Sequence, residues 1–137
     1  MLKRRTIALL TLRDGVLTRT KRFVPDYIYT KNQVNTEYCD EICCLRIGGS
    51  WSDFFTAVNH ISDEAMLPVT VGGGIETLDD AKRCFRETVA DKVVVETSLH
   101  RLGRELSETL GRQSVVAGVT EGRNEEVDAE YAGEILV

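Results

Sequence analysis

The chain is poor in histidine. It has two histidines, His60 and His100, and neither has a serine or carboxylate partner fixed by spacing, so a histidine-based catalytic centre is not expected. Its four cysteines, Cys39, Cys43, Cys44 and Cys84, contain no Cys-x-x-Cys pair and lie far from both histidines in sequence. That pattern argues against a metal site. Cys43 and Cys44 fall inside an apolar run and read as core packing in a reducing, cytoplasmic setting. Positive charge is not in surplus either. The net charge is −5, and the basic residues are scattered apart from Lys3-Arg4-Arg5, which excludes a general nucleic-acid surface. No apolar run approaches the length of a membrane span. The one after the basic cluster, with Leu9, Leu10 and Leu12, is too short for a signal peptide and stops at Arg13-Asp14-Gly15. There is no linker and no low-complexity segment. The 137 residues, 42% apolar and 28% charged, therefore read as a single globular domain over 1–137 with its own core and no implied cofactor.

The most telling stretch that is present is Leu67-Pro68-Val69-Thr70-Val71-Gly72-Gly73-Gly74-Ile75. A short β-branched run ends in glycine and a capped helix pattern follows at once. Glycines leave backbone N–H groups open to a ligand. A strand, a glycine turn and a helix N-terminus in that order make an anion site, most often for phosphate. Gly72, Gly73 and Gly74 are thus candidate phosphate-binding residues, the alternative being a plain tight turn. Thr97 and Ser98, opening a later helix, offer further hydroxyl and N–H donors, with helix capping as their alternative role.

The elements alternate. Apolar strand patterns over 6–12, 41–47, 67–71, 91–96 and 114–119 are separated by helix patterns over 52–61, 78–85 and 99–110. The segment 16–23 reads as a hairpin-like arm, 32–38 as a weak helix, and 134–137 as a final apolar stub. Ser50 or Ser52 caps the first strong helix. Thr77, with Asp80 three residues on, caps the next, and Gly103 interrupts the last before Gly111 closes it. Near-continuous apolar strands alternating with helices mean βαβ units and a parallel sheet, with ligands at the carboxyl ends of the strands. On that rim fall Thr11, Gly48, Gly49, Ser50, the glycine loop, Glu96, Thr97, Ser98 and residues 120–122. Trp51 is placed there too, either to stack on a ligand ring or to pack.

With these residues in view, the chain resembles the cyclase subunit of imidazole glycerol phosphate synthase, a TIM-barrel enzyme of histidine biosynthesis, and its cyclase-like paralogues. The stretches that carry the resemblance are Met1-Leu2-Lys3-Arg4-Arg5, Asp14-Gly15, Asp40-Glu41-Ile42, the glycine strand, Ala90-Asp91-Lys92-Val93 and Gln113-Ser114-Val115-Val116. The resemblance implies a (βα) barrel of eight units, of which this sequence supplies five strands and a stub. The expected fold is therefore α/β, a parallel half-barrel derived from a TIM barrel. Two open sheet edges and an apolar inner face, including residues of Val93-Val94-Val95 and Val115-Val116, would drive self-association into a homo-oligomer.

The resemblance also implies roles for single residues. The family's catalytic aspartates, at the ends of strands one and five, correspond to Thr11 and Thr120, and a threonine hydroxyl does not exchange a proton near neutral pH. Arg46 stands where the family has a further acid, and Glu96 where it has asparagine. Arg5, Glu41, Lys92 and Glu134 match in sign a ring of charges at the barrel floor that gates ammonia from a glutaminase partner. Asp91 matches an aspartate at that contact. Alternating charges that satisfy one another at strand starts are the simpler account of the same residues. Three functions remain open: a phosphate- or phosphosugar-binding protein without cyclase chemistry, a non-catalytic assembly or glutaminase-partner-binding module, and an active cyclase-like lyase.

Overall fold

Strand β1 (Ile7–Arg13) starts the sheet and turns at Asp14 and Gly15, both with positive φ, into β2 (Val16–Lys21). An Asp-Gly pair in that geometry is the two-residue turn whose twist suits a hairpin. A further strand, β3 (Val24–Ile28), runs antiparallel to β2, pairing Thr18 with Ile28 and Lys21 with Val24. The arm read in the sequence is therefore a three-stranded meander. In the computed structural model the chain is described over residues 4–21, 24–29, 37–96, 98–118 and 134–136. Of the weak helix expected over 32–38, residues 32–36 lie outside that set, and 37 and 38 form a turn.

The chain then alternates as expected. Strand β4 (Glu41–Gly48) leads to α1 (Trp51–Ala65), and β5 (Val69–Gly72) to α2 (Leu78–Glu87). Strand β6 (Lys92–Val95) leads to α3 (Leu99–Leu110). A 3-10 turn at Arg112–Ser114 then enters β7 (Val115–Gly118), and β8 (Glu134–Leu136) comes last. The sheet order is β3-β2-β1-β4-β5-β6-β7-β8, parallel from β1 to β8. It curls into a half-barrel with helices between the strands.

Local chemistry explains the helix boundaries. The Ser50 side chain accepts from the Asp53 N–H at 3.1 Å, so Ser50 and not Ser52 is the cap. Thr77 and Asp80 form a reciprocal capping box. Gly103 does not interrupt α3. It lies buried within the helix, whose apolar face carries Leu99, Leu102 and Leu106; packing outweighs the roughly 1 kcal/mol that glycine costs in a helix.

Two apolar clusters divide the sheet faces. The larger joins Leu12, Ile42, Val71, Val93, Val95 and Val115 to the helix residues Phe54, Val58, Cys84 and Leu106. Each such buried side chain contributes roughly 1.5–3 kcal/mol. The smaller contains no helix residue and gathers Cys43, Val94 and Val116, with Ile7 and Leu45 against it. It marks the concave face. One expectation needs correction here: Val94 and Val116 are 6% and 4% exposed, so the inner valines are covered within the chain. Leu9, which pairs with Cys43 and so shares this face, is half-exposed at the β1 end, and further large apolar side chains are exposed on β3 and at Tyr38, Met66 and Val89.

Candidate functional site

The parallel strands β4, β5 and β6 end together, and their exits form a rim at the start of α1, α2 and α3. Gly72 is the last residue of β5, opposite Leu45 and Val94. A Cβ on it would overlap the Val94 side chain and carbonyl. Gly73 has φ +101°, and a Cβ on it would overlap the backbone N and O of Arg46. Gly74 has φ +80°, and its Cβ would stand 2.7 Å from Arg46 Nη2. The glycines are thus needed first to let β5 leave the sheet across the end of β4.

Ser98 reaches this loop from the start of α3. It is buried, occupies the cap position without a side-chain cap bond, and donates its hydroxyl to the Ile75 carbonyl at 2.6 Å. Arg101, one turn on, donates from Nη2 to the Glu76 carbonyl at 2.7 Å. Two of the loop's own N–H groups are already used: those of Glu76 and Thr77 donate to Asp80 Oδ2 at 3.1 and 3.3 Å. Glu96 is exposed on the same rim. Thr97 and Thr120 lie outside the described residues, as do 121 and 122.

Thr11 sits inside β1 rather than beyond it, half-buried, and its hydroxyl donates to the Thr18 carbonyl on β2. That commitment occupies its only donor.

A grouping that sequence reasoning missed stands between the glycine loop and α1. The Arg46 guanidinium lies 4.1 Å from the centre of the Trp51 ring, and its Nη1 donates to the Gly49 carbonyl at 2.8 Å. Its Nε is buried without a hydrogen-bond partner. Trp51 also stacks on Phe55 at 5.5 Å and meets Phe54 edge-on at 5.8 Å. Packing of Trp51 is therefore its observed role. No periodicity rule pairs a strand-end arginine with the opening residue of the next helix. The sequence signals were an aromatic directly after Gly48-Gly49-Ser50 and, through the resemblance, an arginine at 46 where the family has an acid, with nothing to join them.

The charged residues expected at the barrel floor fall at the opposite end of the strands. Arg5 precedes β1, while Glu41, Lys92 and Glu134 open β4, β6 and β8. Arg5 Nη1 and Glu41 Oε1 form an ion pair at 2.6 Å. Two carboxylates beside this ring bind backbone instead: Asp40 accepts the Thr6 N–H at 2.7 Å and Asp91 the Val69 N–H at 3.2 Å. Both tie neighbouring strand starts together.

Cys43, Cys44 and Cys84 are pushed up to about 12 by burial, with Cys43 adding to the effect on Cys44. Such thiols are inert near neutral pH. His60 and His100 are exposed, His60 standing 3.7 Å from Glu64 on α1. Among the described residues no group of three or more His, Cys, Asp or Glu is placed to hold a metal, and no helix is long and apolar enough to cross a membrane.

A family model described as "Histidine biosynthesis protein" matches residues 8–133. The imidazole glycerol phosphate synthase subunit HisF of Streptococcus mutans is 32% identical over 130 residues, covering 87% of this chain and 51% of that protein. The HisF subunit of Methanococcus maripaludis is 31% identical over 135 residues, covering 90% of this chain and 49% of that protein. That of Pyrococcus furiosus is 30% identical over 130 residues, covering 87% and 51%. The chain spans about half the length of the curated relatives it matches.

Proposed function

The chain belongs to the histidine biosynthesis protein family, and from that premise we propose that it is a single-domain, cyclase-derived half-barrel that binds a phosphate or phosphosugar at its glycine rim and does not carry out the cyclisation. The observation that carries the binding reading is the pair Gly73 and Gly74, held at left-handed φ where β5 ends and α2 is about to begin, with the Arg46 guanidinium beside them. Backbone N–H groups of Gly73 and Gly74, joined by those of Thr97 and Ser98, are the proposed phosphate ligands, the Ser98 hydroxyl being engaged with the Ile75 carbonyl. The absence of cyclase chemistry is supported by Thr11. Its hydroxyl has no acid–base role near neutral pH and is engaged with the Thr18 carbonyl. Thr120 is assigned the same inert role from its sequence position. Four free cysteines fit a cytoplasmic protein. Titration with inorganic phosphate, followed by amide chemical shifts, tests the binding. Saturable shifts at Gly73 and Gly74 are expected, and no shift at high millimolar phosphate would overturn the reading. Incubation of the cyclase substrate with ammonia tests the second half, and product above a no-protein control would overturn it.

A second reading is assembly. It is favoured by the edge strand β3, on which Val24 and Ile28 are 65% and 59% exposed. In this reading two copies pair into a homo-oligomer, and the floor charges Arg5, Glu41, Lys92 and Glu134 receive a glutaminase-like partner.

A further inference from the structure

We infer that Arg46 is the anion-recognising residue of the glycine rim: the Nε and Nη2 edge of its guanidinium takes two oxygens of a phosphate-type ligand lying over Gly74. This rests on the reading of the rim as a phosphate site, and it supplies a cation at Gly74 itself, where Arg101 is instead tied to the Glu76 carbonyl at 2.7 Å. Asp79 and Asp80 occupy the first turn of α2, Asp80 has taken the Glu76 and Thr77 N–H groups, and Glu96 is exposed after β6. An oxyanion arriving at Gly73 and Gly74 meets these carboxylates unless a cation stands at the glycines themselves.

Arg46 is that cation. Its backbone lies directly under Gly73, and its Nη2 is 2.7 Å from the position a Gly74 Cβ would take. A side chain at residue 74 would cover Nη2, so the glycine is what leaves that nitrogen reachable. Two contacts fix the guanidinium: Nη1 on the Gly49 carbonyl and the Trp51 ring 4.1 Å away. Neither uses Nε or Nη2. The Nε–H is buried and unpaired, and a buried donor without a partner carries a desolvation penalty that a bound acceptor relieves. Nε and Nη2 are the two donors of one guanidinium edge, spaced to match two oxygens of a phosphate, which an ammonium does not reproduce. The family resemblance places an acid at this position, so the reversal of sign makes Arg46 a specificity residue of this chain.

Trp51 is the only tryptophan, so its emission reports directly on the guanidinium against it. The experiment titrates the protein with inorganic phosphate at constant ionic strength, with chloride as control. Trp51 emission, the Arg46 Nε–H resonance and the Gly73 and Gly74 amides are followed together. All three are expected to saturate with one midpoint. Arg46→Lys, shown to be folded by its amide dispersion, should weaken binding by about tenfold or more, and Arg46→Gln should abolish it. Glycine shifts that saturate equally in wild type and both folded variants, with an unmoved wild-type Nε–H, would overturn the assignment while leaving the phosphate reading intact. A response at Trp51 and Nε–H with silent glycines would uphold Arg46 and overturn the glycine reading. Silence everywhere would overturn both. The Nε–H measurement needs no variant, so misfolding of Arg46→Lys or Arg46→Gln leaves the test in force.

Discussion

Ser98 donates to the carbonyl of Ile75 at 2.6 Å, and that one bond ties the segment after β6 to the glycine loop after β5. Both residues are buried. Ser98→Ala leaves the Ile75 acceptor without this partner, at an expected loss of about 1–2 kcal/mol. The denaturant midpoint should fall, and the Gly73 and Gly74 amide resonances should move because their loop has lost its tether. An unchanged midpoint with unmoved glycine resonances would show that the two loops are independent.

Two positive-φ glycines separate strain from clash. At Gly111, which closes α3 with φ +88°, a Cβ meets nothing within 4 Å. At Gly73 it would overlap the Arg46 backbone. Gly111→Ala should therefore show only the positive-φ strain of roughly 1–3 kcal/mol. Gly73→Ala adds displacement of backbone from backbone, and a total above about 3 kcal/mol is expected. Thermal melts of the two variants side by side check this, and equal losses would refute the close approach of β4 and β5.

The buried thiols predict an alkaline limit to stability. Burial raises Cys43, Cys44 and Cys84 from 9.0 to about 12 in the folded chain. Their protonated form is favoured by folding, so this contribution is complete below about pH 9 and lost as pH climbs from there toward 12. Each thiol adds a slope of up to roughly 1.4 kcal/mol per pH unit in that window. Urea midpoints measured at pH 8 and pH 10 should fall, and fall less in Cys84→Val. At neutral pH an alkylating reagent should label Cys39 well before the other three.

The alternation of strands and helices was legible because a parallel sheet covered by helices writes long apolar runs between helical stripes. The caps Thr77 and Ser50 were legible because their side-chain chemistry is local. Strand β3 was not: Val24-Pro25-Asp26-Tyr27-Ile28 carries a proline and an aspartate, which are poor strand residues, and is tolerated at the sheet edge. The continuity of α3 through Gly103 was hidden because packing decided it. The Arg46, Trp51 and Gly74 grouping needs three separate elements in place, so no window of sequence displays it.

Thr11→Asp tests whether cyclase chemistry is one substitution away. The Thr11 hydroxyl is a donor to the Thr18 carbonyl, and an aspartate would set a carboxylate against that oxygen with no proton to give. The expected result is a loss of about 1–3 kcal/mol in stability and no cyclase product with ammonia. The Thr11→Asp, Thr120→Asp double variant should likewise fail to restore full activity. Substantial turnover by either would show that the lost acid alone separates this chain from an active enzyme.

Self-association, if it follows sheet physics, runs through β3 and not through the covered inner valines. Strand β3 is an edge of the sheet, and Val24 and Ile28 stand largely in solvent there, with Tyr27 and Tyr29 packed edge-to-face at 5.1 Å beside them. Pairing two such edges about a two-fold axis buries the exposed part of four aliphatic side chains, about three-fifths of each, worth roughly 4–7 kcal/mol together. Association itself costs about 4–15 kcal/mol in lost freedom. The cost equals or exceeds this gain, so a weak dimer that grows with concentration is expected rather than an obligate one. Light scattering from tens to hundreds of micromolar should show a rising mean mass. Ile28→Lys should hold the chain monomeric with little change in its urea midpoint, because the residue it replaces is already exposed. A wild-type chain that stays monomeric across that range would remove assembly from its functions and leave the rim to account for them.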